Sequence, residues 1–252
     1  MRVYIATLLA GMRPENVQTL VEVGKPKYLL NTFYEGEQAC KQVLNICGAD
    51  NFLLDSGAFS FMSGAKSNEK ILEDYAEQYI DFIKENKVTQ YFEIDVDTIF
   101  GLPFVEKLRS KIERETGVQS IPVWHKGRGV EYFKRMCDEY KYIAIGGLVF
   151  HVKGSELPAI KKMVDYAANK GVKVHGLGFT KTRELQNWNW YSVDSSSWKT
   201  AAIRGNTRHT FNSKYIQSHV IKNGGYKVDQ RLLAMHNGIE WCKYQRYMEN
   251  KT

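Results

Sequence analysis

The amino-acid sequence predicts an α/β protein that folds as a single (β/α)8 barrel, or TIM barrel, over residues 1–252. Its apolar residues fall in eight short runs that are mostly continuous, which is typical of strands buried on both faces of a parallel sheet. Amphipathic stretches with helical spacing separate several of these runs. An open doubly wound sheet is the alternative, although no GxGxxG motif follows a strand to support a dinucleotide-binding fold.

The predicted strands follow one another at spacings that leave room for helices between several of them. They cover residues 3–8, 27–31, 52–55, 91–95, 121–125, 142–146, 172–176 and 191–194. Apolar stripes predict three helices, carried by Ile71, Tyr75, Tyr79 and Phe82, by Val130, Phe133, Met136 and Tyr140, and by Leu157, Ile160, Val164 and Ala167. Gly171 follows the third stripe, where a C-terminal cap belongs. A last helix is predicted with Asp229 as its N-cap and with Val228, Leu232, Met235 and Ile239 on one face.

The composition is that of an ordinary globular protein, with 43% hydrophobic and 25% charged residues. No apolar run approaches the roughly 18–20 residues of a membrane-spanning helix, so no membrane contact is expected. The four cysteines, Cys40, Cys47, Cys137 and Cys242, show no metal-ligand spacing. They are interpreted as structural thiols of a cytoplasmic protein that holds no metal. The net charge of +7 favours a polyanionic partner.

Acidic residues mark the ends of three predicted strands. Asp55 ends NFLLD, Asp95 and Asp97 end YFEIDVD, and Asp194 ends WYSVD. The carboxyl ends of the strands in a parallel barrel converge on one mouth, where active sites lie. Because a buried aspartate is rare unless it is paired or functional, the sequence predicts acid–base or nucleophilic chemistry at this mouth.

The strand-end motifs occur in a definite order. They are DSGAF from Asp55, FEIDVD around Asp95, IGGL at 145–148, HGLG at 175–178 and then Asp194. This order resembles the tRNA-guanine transglycosylase superfamily, in which a barrel exchanges a guanine in nucleic acid for a 7-deazaguanine. The resemblance covers roughly residues 52–198. It implies a pentosyltransferase that forms a covalent aspartyl-glycosyl intermediate and needs no cofactor.

The resemblance implies roles for individual residues. The family's aspartate nucleophile falls on Asp194, and its DSGG motif falls on Asp55, Ser56 and Gly57, with Ala58 in place of the second glycine. Its base contacts fall on Asp95 (with Asp97 close enough to be confused with it), on Ser56 of the DSGG motif and on Gly146, Gly147 and Leu148. A further base contact falls on His125, which stands where the tRNA enzymes carry a glutamine.

Departures from the family pattern bear on the nucleic acid that is modified. The tRNA enzymes carry a C-terminal zinc site of three closely spaced cysteines and a histidine, whereas Cys242 stands alone here. The short chain and the altered DSGG and glutamine positions resemble the DNA-modifying branch of phages and bacterial islands. The resemblance therefore implies a cytoplasmic enzyme that acts on DNA, with tRNA as the alternative substrate. A phage-encoded enzyme that acts in the host cytoplasm is one of the origins that the branch allows. Family members often pair as dimers, so a homodimer is an open alternative.

The chemistry of these residue types agrees with the roles. An ionised Asp194 can attack the anomeric carbon of the sugar and split one difficult substitution into two steps. Asp95 can accept hydrogen bonds from the N1–H and the exocyclic amine of guanine. Asp55 can shuttle protons or orient the sugar. Gly146 and Gly147 allow the backbone to approach a flat base, which must first leave the duplex.

A basic segment, residues 195–227, follows Asp194. It interleaves cations with Trp198, Phe211 and Tyr215, a combination suited to phosphate contact and base stacking. The cations predicted to contact nucleic acid are Lys199, Arg204, Arg208 and Lys214. A surface loop with incidental aromatic residues is the alternative.

Two other functions remain open from the sequence. A metal-dependent barrel hydrolase could use His125, His175 and Asp194 as ligands, although the first strand lacks the usual His-x-His motif. A barrel that binds nucleic acid without catalysis would need only the basic segment. Outside the hydrolase alternative, His151 and His175 are interpreted as structural residues.

Overall fold

The structure, a computed structural model, describes residues 1–58, 68–148, 154–222 and 228–251. Seven strands form one parallel sheet in the order β3-β2-β1-β7-β6-β5-β4. They are β1 (Arg2–Ala6), β2 (Leu29–Thr32), β3 (Phe52–Asp55), β4 (Val123–Trp124), β5 (Tyr142–Ile145), β6 (Lys173–Gly176) and β7 (Ser192–Ser195). The first strand pairs with the last, and every other pair joins consecutive strands. The protein therefore has an α/β fold with a curled parallel sheet.

Helices flank this sheet throughout the described part of the chain. They are α1 (Pro14–Thr19), α2 (Glu37–Cys47), α3 (Glu69–Glu85), α4 (Asp97–Phe100), α5 (Leu102–Thr116), α6 (Gly129–Glu139), α7 (Leu157–Asn169), α8 (Ser197–Gly205) and α9 (Gln230–Asn250). Local chemistry sets their ends. Asn68 caps α3 by accepting a hydrogen bond from the Ile71 N–H at 2.9 Å, and Gly117 ends α5 in the left-handed conformation.

Seven of the eight predicted strands are confirmed, with ends shifted by one or two residues in most cases. The strand predicted at 91–95 is not a continuous strand. It forms two single bridges, Leu54 with Tyr91 and Phe92 with Ile121. Backbone hydrogen bonds support both sides, from the Phe92 N–H to the Leu54 carbonyl at 3.0 Å and from the Ile121 N–H to the Tyr91 carbonyl at 2.8 Å. The segment thus lies between β3 and β4.

The side chains of the sheet alternate between its two faces and form two separate apolar clusters. A small cluster fills the concave side of the sheet and contains Tyr4, Ala6, Tyr28, Leu30, Leu53, Phe92, Ile121, Val123 and Ala144. The neighbouring residues Val3, Ile5 and Leu54 belong to the large cluster that packs between the sheet and the helices. Because successive side chains point to opposite faces of a strand, residues in register with the small cluster, such as Asp55 and Asp194, face the concave side.

The predicted helices are confirmed, and so is the third stripe, in which Ile160, Val164 and Ala167 are buried. The first two stripes differ from the buried faces at their first residues. Ile71 and Val130 are exposed, whereas Leu72 and Ala76 of α3 are fully buried. Gly171 follows Lys170, the C-cap residue of α7, and has a φ of +71°, as expected of the glycine that ends a helix.

The N-cap of the last helix is confirmed, because the Asp229 carboxylate accepts hydrogen bonds from the backbone N–H groups of Arg231 and Leu232. The predicted face of α9 is wrong at Leu232, which is exposed. The buried face instead contains Leu233, Ala234, Asn237, Trp241 and Tyr244.

The segment 195–227 is not a loop over its described residues. It contains α8 and then an antiparallel hairpin of β8 (Thr207–Phe211) and β9 (Ile216–Val220), while residues 223–227 lie outside the described part. Asn237 of α9 holds the segment in place: its side chain accepts from the His209 N–H at 2.7 Å and donates to the Trp198 and Thr207 carbonyls at 2.9 Å. These contacts are long-range in sequence, so local patterns did not predict how the segment is held.

No helix in the described ranges is long and apolar enough to cross a membrane. All four cysteines are free thiols.

Candidate active site

Three carboxylates meet at the carboxyl end of the curled sheet. Asp55 is the last residue of β3, Asp194 lies in β7, and Asp95 follows the bridged segment between β3 and β4. Asp55 feels electrostatic repulsion from both Asp95 and Asp194. The predicted acids therefore lie in one neighbourhood on the concave side.

Asp55 is the acid with the most altered protonation. Burial, the charge of Asp95 and then that of Asp194 raise its pKa to about 7, against opposing hydrogen bonds from the Gly57 N–H and the Thr32 hydroxyl. A carboxyl group with such a pKa can both accept and donate a proton near neutral pH. Gly57 has a φ of +73°, and a Cβ there would lie 2.6 Å from the Thr32 hydroxyl oxygen, so glycine is required in this turn.

Ser56, which was predicted to contact a base, makes its described contacts within the turn and with α3. Ser56 is fully buried. Its hydroxyl oxygen accepts a hydrogen bond from the Ala58 N–H at 3.4 Å, and its carbonyl accepts one from the Tyr75 hydroxyl at 2.6 Å. Ser56 therefore holds the turn that presents Asp55.

The raised pKa of Asp55 makes a prediction about stability. Between the ordinary pKa of about 3.9 and the folded-state pKa of about 7, the folded protein keeps a proton that the unfolded chain has lost. This contribution to stability therefore falls as the pH rises through that window. Asp55→Asn cannot ionise, so we expect it to stabilise the protein at pH 8 by on the order of 1–3 kcal/mol, allowing for partial exposure.

Urea unfolding of both proteins at pH 4 and pH 8 measures this effect. At pH 4 the wild-type group is neutral in the folded protein and about half neutral in the unfolded chain, so most of the gain should vanish there. A gain of equal size at both pH values would show that repacking, and not the charge of Asp55, is the cause.

Asp95 forms a short hydrogen bond with His125, with Nε2 and Oδ2 separated by 2.6 Å. Burial lowers the pKa of His125, but Asp95 outweighs that effect and the net shift is upward. The imidazole lies against Gly146, where a Cβ would come within 2.5 Å of the ring carbon Cε1. Gly146 thus makes room for the histidine. Gly147 has a φ of +72° and Leu148 is buried beside it, at the edge of the described residues.

Asp97 belongs to a buried ion-pair network behind the mouth. Arg128 donates to Asp97 at 3.0 Å and to Glu93 at 2.7 Å, and Arg109 donates to the other oxygen of Glu93 at 2.9 Å. Glu93 also accepts from the Val123 N–H at 2.7 Å. The sequence left Asp95 and Asp97 as alternative base readers. Asp97 is bound by Arg128, whereas Asp95 pairs with His125.

Asp194 is held by two donors on one oxygen. Its Oδ1 accepts from the Gly178 N–H at 2.7 Å and lies 3.1 Å from the Nε2 of His175. The other side of the imidazole, Nδ1, lies 2.6 Å from the Ser192 hydroxyl oxygen, which lies 2.6 Å from the Tyr142 hydroxyl. Sequence reasoning assigned His175 a structural role and missed Ser192 and Tyr142. The spacing of the HGLG motif before Asp194 was the available signal.

Lys199, a predicted phosphate contact, has its side chain turned into the interior. It is buried, and its ammonium group donates to the Thr7 and Ala10 carbonyls at 2.8 Å each. Burial lowers its pKa, and nearby Glu35 opposes this. Trp198 is buried as well and donates to the Ala6 carbonyl. Both residues anchor α8 to the end of β1.

The three other predicted cations do not lie together: Lys214 lies at one end of the molecule, and Arg204 and Arg208 lie at the other. Helix α9 begins beside Asn206 and ends where Met248 contacts Met1 at the start of β1. The Lys214 backbone contacts Gln186, which also binds Lys251 after the end of α9. Lys214 therefore lies far from the carboxyl ends of the strands.

Arg204 and Arg208 are exposed near the first turns of α9. A cavity of about 730 Å³ opens there, lined by Gly11, Arg13, Ile203, Asn206, Val228, Asp229, Gln230 and Arg231. The sequence did not single out its two arginines, because they are far apart in the chain.

Potential metal ligands are dispersed in the described ranges, which contain no group of three His, Cys, Asp or Glu side chains that could hold a metal ion. The two histidines of the alternative hydrolase site are instead engaged separately, His125 with Asp95 and His175 with Asp194. His151 lies outside the described residues.

Comparison with solved structures finds a similar protein from a structural study of Aquifex aeolicus VF5, with a TM-score of 0.57 and 12% sequence identity. The match covers 97% of this chain and 93% of that chain. At this identity the similarity shows the fold alone. No protein-family model matches the sequence, and no curated protein matches it.

Proposed function

We propose that this protein is a base-exchanging transglycosylase that replaces guanine in DNA with a 7-deazaguanine. The observation that carries the proposal is the arrangement of Asp194. One carboxylate oxygen is fixed by two donors, the other receives no hydrogen bond from the described residues, and two further acids lie close by. This arrangement suits a nucleophile, a base reader and a proton carrier.

The chemistry balances in two displacements. In the first, Oδ2 of Asp194 bonds to C1′ of the sugar, the bond from C1′ to N9 of guanine breaks, and its electron pair leaves with the base. The protonated Asp55 gives its proton to the leaving guanine. In the second, the incoming 7-deazaguanine loses its N9 proton to Asp55, and N9 bonds to C1′. As this bond forms, the ester bond from C1′ to Asp194 breaks and its electrons return to the carboxylate.

Asp95 is the proposed reader of the base. An ionised carboxylate only accepts hydrogen bonds, and guanine offers adjacent donors at N1 and at its exocyclic amine. His125 holds Asp95 from the side of Gly146. Gly147 and Leu148, which follow β5, would supply backbone groups that contact the base.

We infer that residues 90–93 close the curled sheet into an eight-stranded barrel. Their backbone pairs with β3 on one side and with Ile121 just before β4 on the other. Closure in this way would give the carboxyl ends of all strands one shared mouth. The chain would then act as one domain over residues 1–252.

The nucleic-acid surface is proposed to centre on the cavity at the start of α9. Arg13 and Arg231 line this cavity, and Arg204 and Arg208 lie beside it. Guanidinium groups form two parallel hydrogen bonds with phosphate. This surface replaces the predicted footprint that included Lys199 and Lys214.

The surface is tested by the salt dependence of DNA affinity. Each phosphate contact adds about 0.9 to the slope of log K against log salt concentration. Arg204→Ala combined with Arg208→Ala should therefore flatten the slope by roughly two units and weaken binding to all sequences alike. The matched control is the double variant Lys141→Ala and Lys214→Ala. Both lysines are exposed, and both lie away from the carboxyl ends of the strands. If the control flattens the slope and the arginine variant does not, DNA binds elsewhere.

The substrate is tested by label release. Duplex DNA and tRNA, each with labelled guanine, are incubated with the protein and a set of 7-deazaguanine bases. Release from DNA alone would support the proposal, and release from tRNA alone would assign the enzyme to the RNA-modifying alternative. Binding to DNA without release under any condition would favour the non-catalytic alternative. A cytoplasmic setting, a phage origin and a homodimer remain predictions.

A further inference from the structure

A buried hydrogen-bond chain runs across three adjacent strands towards Asp194. It begins at Tyr142 of β5, passes through Ser192 of β7 and reaches His175 of β6. Ser192 and His175 are fully buried. The rings of Tyr4 and Phe92 lie 6.0 Å and 5.1 Å from the His175 ring. Among the described residues, the polar partners of His175 are the two at its ring nitrogens.

The chain can run in only one direction if His175 is neutral. An ionised Asp194 only accepts hydrogen bonds, so the Nε2 of His175 must carry the hydrogen. Nδ1 then lacks one and accepts from the Ser192 hydroxyl. Ser192 has a single hydrogen to give, so its oxygen accepts from the Tyr142 hydroxyl. Burial raises the pKa of Tyr142 far above its ordinary value, and this phenol therefore keeps its proton.

We propose that Tyr142, Ser192 and His175 are positioning residues that fix the carboxylate of Asp194, so that Oδ1 is held and Oδ2 faces the reacting sugar. The Gly178 N–H completes this grip on Oδ1 from a backbone with a φ of +66°. The nucleophilic part of the inference rests on the proposed function, whereas the direction of the hydrogen-bond chain does not.

The direction is tested on the wild-type protein by ¹⁵N NMR of labelled histidines at neutral pH. The His175 signals are identified by their loss in His175→Gln. We expect a neutral ring with its hydrogen on Nε2. A ring protonated on Nδ1, or on both nitrogens, would overturn the proposal even if the protein exchanges bases.

The positioning role is tested with two variants of matched chemistry. The amide of His175→Gln can reach the former Nε2 position and still donate to Asp194, whereas the shorter side chain of His175→Asn reaches only the former Nδ1 position. We expect His175→Asn to lower kcat about 100-fold with an unchanged KM for the base, because a displaced nucleophile reacts slowly without binding the base less well. His175→Gln should stay within about tenfold of wild type.

The unfolding midpoints of both variants control for a merely structural role. If His175 were only structural, the loss of activity would parallel the loss of stability, and kcat would not fall selectively at an unchanged KM. Equal kcat values for the two variants would contradict the positioning role. A correct tautomer in a wild-type protein that exchanges no base would refute the proposed function and leave the hydrogen-bond chain standing.

Discussion

Asp194→Asn is expected to abolish base exchange, lowering kcat by roughly a thousandfold or more. The amide keeps the shape of the carboxylate but lacks the negative charge that attacks C1′. DNA binding should persist, because the proposed phosphate contacts are arginines on a separate surface. Label release and DNA affinity, measured side by side, distinguish lost chemistry from lost binding.

Asp95→Asn is the matched comparison, since it makes the same chemical change at the proposed base reader. It presents a donor where guanine needs an acceptor. We expect a higher KM for the base with the covalent step retained. If Asp95→Asn loses the covalent step while Asp194→Asn exchanges bases at a normal rate, the two roles are assigned the wrong way round.

Glu93→Ala is expected to lower the free energy of unfolding by about 3–5 kcal/mol. Glu93 is fully buried and is the common partner of Arg109 and Arg128. Its removal leaves both guanidinium groups buried and undercompensated. Urea denaturation measures the loss.

The control for Glu93→Ala is Glu131→Ala, which removes an acid whose side chain is 86% exposed and pairs with Lys134. An exposed pair of this kind contributes less than about 1 kcal/mol. If the two variants differ by less than 1 kcal/mol, the buried network does not stabilise the fold as its geometry implies.

The curled sheet could be predicted because continuous apolar runs carry local information about buried parallel strands. The run at 91–95 was the exception, and it contains Glu93. This residue points away from the concave side to bind two arginines that come from α5 and from the turn before α6. A charged residue inside an apolar run was visible in the sequence, but its partners were not.

The candidate site was predictable in part for the same reason. Asp55, Asp95 and Asp194 were found because they end strands, and strand ends are local. The burial of the Lys199 side chain depends on which face of α8 packs against β1. The hydrogen bond from Trp198 to the Ala6 carbonyl fixes that face. The chain from Tyr142 to His175 joins residues on three strands, and no local pattern reports such a contact.

The most direct test of the proposed function is the identification of the covalent intermediate. Wild-type protein is mixed with duplex DNA without any incoming base, denatured, digested and mapped by mass spectrometry. We expect a sugar-linked ester on the peptide that contains Asp194, with free guanine released in equal amount. An ester on Asp55 or Asp95, or guanine release without any ester, would contradict the assignment of Asp194 as the nucleophile.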